Sequence, residues 1–273
     1  MPTTVEIAPM RELLSADWAA LDELCAPLTE EQWATPTCLP GWTVQDVLAH
    51  VIGTELMLEG VPAPQVDVSH LPHLRNDIAR MGEVWVEDLR PLSGPEVLER
   101  FREVVARRAA ALDAMSQEDF DAPSWTPVGK DETYGRFMRI RHYDTYLHEH
   151  DIRDALGVPD RLDVAAIEAA LPEVDAALGY IVGRKAALPD GSVVRFDLTG
   201  PVVRTYVVVV DGRAQVVEDP DLEPTVTLAM SDLVFLRLTG GRTEPGPHLG
   251  ADLEIAGDQS LGLHLASNMA MTI

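Results

Sequence analysis

Asp144 and His148 stand four residues apart in the stretch RHYDTYLHEHDIRDALG, and His50 closes the segment GWTVQDVLAH. On a helix, D-x-x-x-H puts a carboxylate and an imidazole on one face, about one turn apart. A second histidine from a neighbouring helix completes a two-His-one-carboxylate set. Such a set binds a divalent ion and leaves coordination positions open, which is what a catalytic metal needs. The competing reading of the same spacing is an Asp–His pair on a helix surface, worth roughly a few tenths of a kcal/mol.

A helical wheel bears on the choice. At about 100° per residue, His148, Asp151 and Ala155 fall within about 40° of Asp144, and Ile140, Leu147 and Ile152 flank them within about 80°. Arg139, His142, Glu149 and Arg153 fall on the other side, which reads as the solvated one. The acid and the imidazole therefore point where the apolar residues point, and a charge placed there has to be neutralised, paired or metal-bound. Asp151 lies on the same face, either orienting a ligand or capping a neighbouring group.

The elements that position these residues follow from periodicity. A helical pattern runs from about Met10 to Leu28, and the segment TPTCLPGW, with two prolines and a glycine, breaks it. Thr43 offers an N-cap for a helix through about Leu58, whose stripe is Val44, Val47, Leu48 and Val51 and whose edge carries His50. Further helices are expected over about Leu74 to Leu89, from Ser93 through Leu112, and from Thr133 to a C-cap at Gly157. Four or more amphipathic helices suggest a bundle, in which metal sites form between facing helices.

After GVPDRLD the texture changes. One Ala-rich helix is expected over about Val164 to Ala187. Beyond Pro189 the segments SVVRFDLTG, VVRTYVVVVDG and RAQVVED are rich in β-branched residues, and VVVVDGRAQVV is a hairpin signal. A strand at Thr225 to Met230, a helix at Asp232 to Leu238, a strand near Leu253 to Ile255 and a last helix after residue 258 complete an α+β unit. The boundary is placed at 160/161. No internal repeat or low-complexity segment is evident.

Composition narrows the function classes. The 273 residues allow one large domain or two ordinary ones, and 46% hydrophobic residues suffice for a packed core. The formal net charge of −24 disfavours nucleic acid and anionic membranes as partners. No apolar run has the length of a membrane span, and the first residues lack the basic and apolar regions of a signal peptide, so a cytoplasmic location is expected. Cys25 and Cys38 make no C-x-x-C motif; Cys25 reads as a small core residue and Cys38 as a loop residue.

LTEEQWATPTCLPGWTVQDVLAHV and HYDTYLHEHDIRDALG resemble, in order, two motifs of the mycothiol-dependent maleylpyruvate isomerase family, an actinobacterial group within the DinB-like helical-bundle superfamily. VTLAMSDLVFLRLTGGR and LEIAGDQSLGLHLASNMAMTI resemble the sterol-carrier-like domain attached to such proteins. The resemblance implies an α+β chain: a DinB-like four-helix bundle over 1–160, followed by a smaller sterol-carrier-like α+β domain over 161–273. It implies His50, Asp144 and His148 as ligands of a divalent metal, with zinc the expected ion. The isomerase itself carries Glu where this chain has Asp144. Family members hold anionic substrate groups with arginines, for which Arg75, Arg80 and Arg242 are the candidates.

The implied activity is that of a metal-dependent enzyme using mycothiol as cosubstrate on a small electrophile, as an isomerase or a thiol S-transferase. Two other readings stand beside it. One is a non-haem metal oxygenase, which uses the same ligand types. The other is a non-catalytic, metal-stabilised protein that binds lipid or another small molecule. Oligomeric state is not legible.

Overall fold

Thr43, Asn76, Ser93 and Thr133, all short and polar, stand at the starts of four long helices of the first half. The computed structural model describes residues 2–219 and 222–272. In chain order its first half contains α1 (Ile7–Cys25), α2 (Glu30–Trp33), α3 (Val44–Leu58), α4 (Asp77–Leu89), α5 (Gly94–Ala114), α6 (Gln117–Asp121), β1 (Pro123–Thr126), β2 (Gly129–Thr133) and α7 (Tyr134–Leu156). Thr43 and Asp46 form a capping box at the start of α3. Thr133 accepts from the Arg136 amide at the start of α7, 3.0 Å away. Gly157 ends α7 in the left-handed conformation, φ 64, which glycine adopts without strain.

Four of these helices close a ring. α1 packs on α5 and α7, and α3 packs on the same two. Leu14, Leu21, Val47, Leu48, Val51, Ile52, Phe101, Val104 and Leu112 fill the interior. α4 lies against α3 outside the ring. The small antiparallel hairpin β1–β2 and the short helices α2 and α6 were not expected from the sequence pattern. α1 also starts earlier than the pattern implies and stops at Cys25, just before Ala26-Pro27, where proline bars its continuation.

The second face of α7 departs most from expectation. His142 and Glu149 are fully buried rather than solvated, and Arg139 and Arg153 are half-buried. The partners come from far along the chain. Asp17 of α1 meets His142 Nδ1 at 2.6 Å and Arg161 Nη2 at 2.7 Å. Glu149 accepts from Arg153 Nε and Arg161 Nε, each at 2.7 Å. Polar residues go inside when ions elsewhere in the sequence neutralise them.

The chain divides into two compact units, the first ending at Arg161 and the second beginning at Leu162. The second contains α8 (Val164–Asp175), a single turn α9 (Leu178–Tyr180) running into a π turn at Ile181–Lys185, β3 (Val193–Thr199), β4 (Arg204–Asp211), β5 (Arg213–Val217), β6 (Val226–Ser231), α10 (Asp232–Thr239), β7 (Leu253–Gly257) and α11 (Gln259–Ala266). The one long helix expected to Ala187 is thus broken after Asp175. Pro172 within α8 has no amide hydrogen to give the ladder, and regular α geometry is lost within a turn of it.

The strands form one sheet in the order β5-β4-β3-β6-β7. All neighbours are antiparallel except β3 and β6. Val194, Phe196 and Leu198 of β3 point inward in strict alternation, and Phe196 meets Phe235 of α10 at 5.7 Å between ring centroids. The chain is therefore α+β, helical unit first and sheet unit second. No helix among the described residues is long and apolar enough to cross a membrane.

Candidate metal centre

α3 and α7 are neighbours in the helical ring, and their facing stripes bring the three singled-out side chains together. One ligand atom each from His50, Asp144 and His148 lies within 4.8 Å of the other two. His50 Nε2 is 3.4 Å from Asp144 Oδ2, and His148 Nε2 is 3.3 Å from Asp144 Oδ1. Both imidazoles thus turn the same nitrogen toward one carboxylate. His148 is buried, while the side chains of His50 and Asp144 are 18% and 31% exposed, so the cluster opens to solvent at the carboxylate edge.

Asp151 supports His148. Its Oδ2 accepts from His148 Nδ1 at 2.9 Å, which leaves Nε2 to face the cluster. That is the carboxylate–histidine arrangement by which metal ligands are commonly oriented. Its Oδ1 lies 3.3 Å from Cys38 Sγ.

A buried ionic chain runs behind the carboxylate. Arg141, one turn before Asp144 on α7, donates Nη1 to Asp144 Oδ2. The same guanidinium bonds Glu55 Oε1 through Nε at 3.2 Å and Nη2 at 3.1 Å. Glu55 Oε2 accepts from Arg108 Nε at 2.9 Å, and Arg108 Nη2 reaches the Tyr134 hydroxyl at 2.9 Å. Glu55, Arg108 and Arg141 are all buried.

Burial alone would favour the neutral acid at Asp144. The charge on His148, hydrogen bonds from both histidines and Arg141 outweigh it, and the carboxyl is held well below its ordinary range. Burial pushes the His50 pKa down, with Asp144 only partly opposing. Burial also works against a proton on His148, but Asp144 and Asp151 prevail and hold its pKa up.

Of the candidate substrate-binding arginines, Arg75 and Arg80 belong to the first unit and Arg242 to the second. Arg75 and Arg80 are exposed at the start of α4, where Arg80 pairs with Asp77 at 3.1 Å. Arg242 lies in the second unit, bonded to the Gly240 carbonyl at 2.6 Å and to Thr272 Oγ1 at 3.4 Å. Arg141 touches the cluster and was overlooked, although it falls about 60° from Asp144 on the same helical wheel. Trp42 was overlooked too. Its ring centroid is 5.0 Å from that of His50 and 6.0 Å from that of His148.

Residues 14–153, which carry the whole cluster, match the mycothiol maleylpyruvate isomerase N-terminal domain, and residues 168–264 match the C-terminal domain of the same family. The chain belongs to the mycothiol maleylpyruvate isomerase family. Among curated relatives, two uncharacterized proteins of Mycobacterium tuberculosis (strains CDC 1551 / Oshkosh and H37Rv) are each 31% identical over 150 residues, covering 53% of this chain. The match spans about half the length of those relatives, 55% of each. A crystal structure of the mycothiol-dependent maleylpyruvate isomerase superposes with a TM-score of 0.62 at 15% identity, covering 93% of this chain and 95% of that one. A histidine-to-alanine mutant of the isomerase gives 0.61 at 14% identity. At these identities the likeness to this family member establishes the fold.

Proposed function

We propose that this chain is a divalent-metal enzyme that uses a low-molecular-weight thiol, mycothiol, on a small electrophilic substrate. The observation that carries the reading is the convergence of His50 Nε2, His148 Nε2 and the Asp144 carboxylate within the domain that matches the family. Two imidazole nitrogens and one carboxylate suit zinc, and three protein ligands leave room for a thiol. His50, Asp144 and His148 would hold the ion, and Asp151 fixes the His148 tautomer that a ligand requires.

A divalent ion held by these three residues would lower the pKa of a thiol brought to it, so that thiolate would form near neutral pH. The chain's own part is positional. Asp144 presents its charge at the solvent edge, and Arg141 holds that carboxylate from behind. Addition of a thiolate to an activated carbon–carbon double bond leaves a single bond about which the substrate rotates. Expulsion of the thiolate then restores the double bond and completes a cis–trans isomerisation. Protonation of the adduct instead keeps the new C–S bond and gives thiol S-transfer.

Purified protein is expected to contain about one divalent ion per chain, and His50→Ala or His148→Ala to remove most of it. Mycothiol should be cycled with maleylpyruvate, or consumed with other electrophiles, only by the metal-bound form. Asp144→Asn should cut turnover sharply because an amide is a weaker, uncharged ligand. Asp144→Glu should be milder, since it restores the carboxylate of the isomerase-type relatives. Normal turnover in the Asn variant would refute the reading, because a surface Asp–His pair alone tolerates that change.

A further inference from the structure

The two imidazoles of the cluster are held in different ways. Metal-binding histidines nearly always have their far ring nitrogen hydrogen-bonded, and His148 fits that rule through Asp151. His50 does not: its Nδ1 is buried and has no hydrogen-bond partner among the described residues. Its orientation has to come from packing.

α4 supplies that packing. A Cβ built on Gly82 would lie 3.3 Å from His50 Nδ1 and 3.5 Å from Cε1. The helix backbone closes on this ring edge because residue 82 has no side chain. The approach is part of a tight seam: a Cβ on Gly53 of α3 would stand 2.3 Å from Trp85 Cβ of α4, which sterics forbid. Trp42 also packs on the His50 ring, tilted by 38° at 5.0 Å.

Trp42 belongs to the loop before α3, so something outside that loop must fix its ring. Glu83, the residue after Gly82, does so. Its Oε2 accepts from Trp42 Nε1 at 2.9 Å and lies 3.2 Å from His73 Nε2, and its Oε1 is 3.6 Å from Arg90 Nη2. Glu83 is fully buried, and a carboxylate so placed is tolerated only with partners of this kind.

We propose that Gly82 and Glu83 are positioning residues for His50, Gly82 by direct contact and Glu83 through Trp42. Together they form a steric clamp in place of the hydrogen bond that His148 donates to Asp151. The proposal rests on the metal reading above. A plain packing seam makes the opposite forecast at Gly82. Alanine is the better helix former, so Gly82→Ala would then leave the centre alone and hold or raise the melting temperature. In a clamp the added methyl displaces the imidazole by a few tenths of an ångström, and the ligand geometry changes with it.

The test uses the full chain as native protein and as the variants Gly82→Ala, Glu83→Gln and Trp42→Phe, with Asp151→Asn as a reference. The readouts are zinc affinity by competition with a chromophoric chelator, the visible absorption bands of the cobalt(II)-substituted protein, and the melting temperature of the metal-free form. Gly82→Ala and Glu83→Gln should each weaken zinc by about tenfold and shift the cobalt bands. Metal-free Gly82→Ala should melt no lower than native protein. Trp42→Phe keeps a ring but cannot donate; it should reproduce the effect of Glu83→Gln, and the two combined should add little. Should Glu83→Gln fail to fold, Gly82→Ala and Trp42→Phe carry the test. Native affinity and native cobalt bands in these two, with zinc weakened in Asp151→Asn, would overturn the clamp alone. A native chain that binds neither zinc nor cobalt overturns the metal reading and the clamp with it.

Discussion

Glu55 is the residue on which the interior electrostatics turn. Its two oxygens each serve a buried arginine, Arg108 and Arg141, and the second of these also holds Asp144. Glu55→Gln leaves two buried guanidiniums without a shared counter-charge. The expected cost is about 3–5 kcal/mol, read from urea unfolding. Arg80→Ala breaks only the exposed pair with Asp77 and should leave the urea midpoint where it is. Cys25 gives a second test at this scale. Burial, and then the charges of Asp22 and Glu149, push its thiol from the ordinary 9.0 up to about 12. The folded state keeps this proton where the unfolded chain releases it. The stability tied to Cys25 is therefore complete below about 9 and lost as pH rises toward about 12. Cys25→Val should flatten that part of the alkaline unfolding profile. A thiol reagent at pH 8 should label the exposed Cys38 in native protein, and both cysteines only in denaturant.

α7 shows what an element's sequence can and cannot disclose. Asp144, His148 and Asp151 were legible because the spacing within one helix fixes their common face, and His50 because Thr43 and the Val44–Val51 stripe define the neighbouring helix. The opposite face was misread. His142 and Glu149 look like surface residues until Asp17, 125 positions before His142, and Arg161 are brought against them. Periodicity reports polarity, not the presence of a distant counter-ion. The same limit hid Glu83, whose partners Trp42, His73 and Arg90 lie on three separate segments. The Ala-rich run after Val164 failed for another reason: helix propensity is high on both sides of Pro172, and the break lies in backbone hydrogen bonding rather than in side-chain pattern. Arg161 makes the hidden face testable. Arg161→Ala leaves Asp17 and Glu149 buried with fewer partners and should cost roughly 3 kcal/mol in urea unfolding.

At the scale of the whole molecule, the core cluster of the helical unit extends from Met10 to Ile152, and the unit's last residue, Arg161, is tied back into it. A fragment ending just after Arg161 should fold alone, with helical circular dichroism and one bound divalent ion. A fragment ending at Leu156 lacks Arg161 and should melt lower. An unfolded longer fragment would show that the helical unit depends on the remainder of the chain.

The uneven exposure of the three cluster residues has a kinetic consequence. On the proposed metal reading, a cation arriving from solvent would meet the Asp144 carboxylate before the buried His148, so loading would begin on charge and finish on nitrogen. The return path would run through the same carboxylate edge, on a chain whose formal net charge is −24. An anionic chelator has to approach against that field, whereas a neutral one does not. 1,10-Phenanthroline should therefore strip the ion faster than EDTA at equal chelating strength. Added salt should speed EDTA and leave phenanthroline nearly unchanged, because screening shortens the reach of the repulsion to about 8 Å at 0.15 M ionic strength. Stopped-flow removal followed with a metal-sensitive dye reads both rates. Equal rates for the two chelators, independent of salt, would place the entrance to the centre somewhere other than at Asp144.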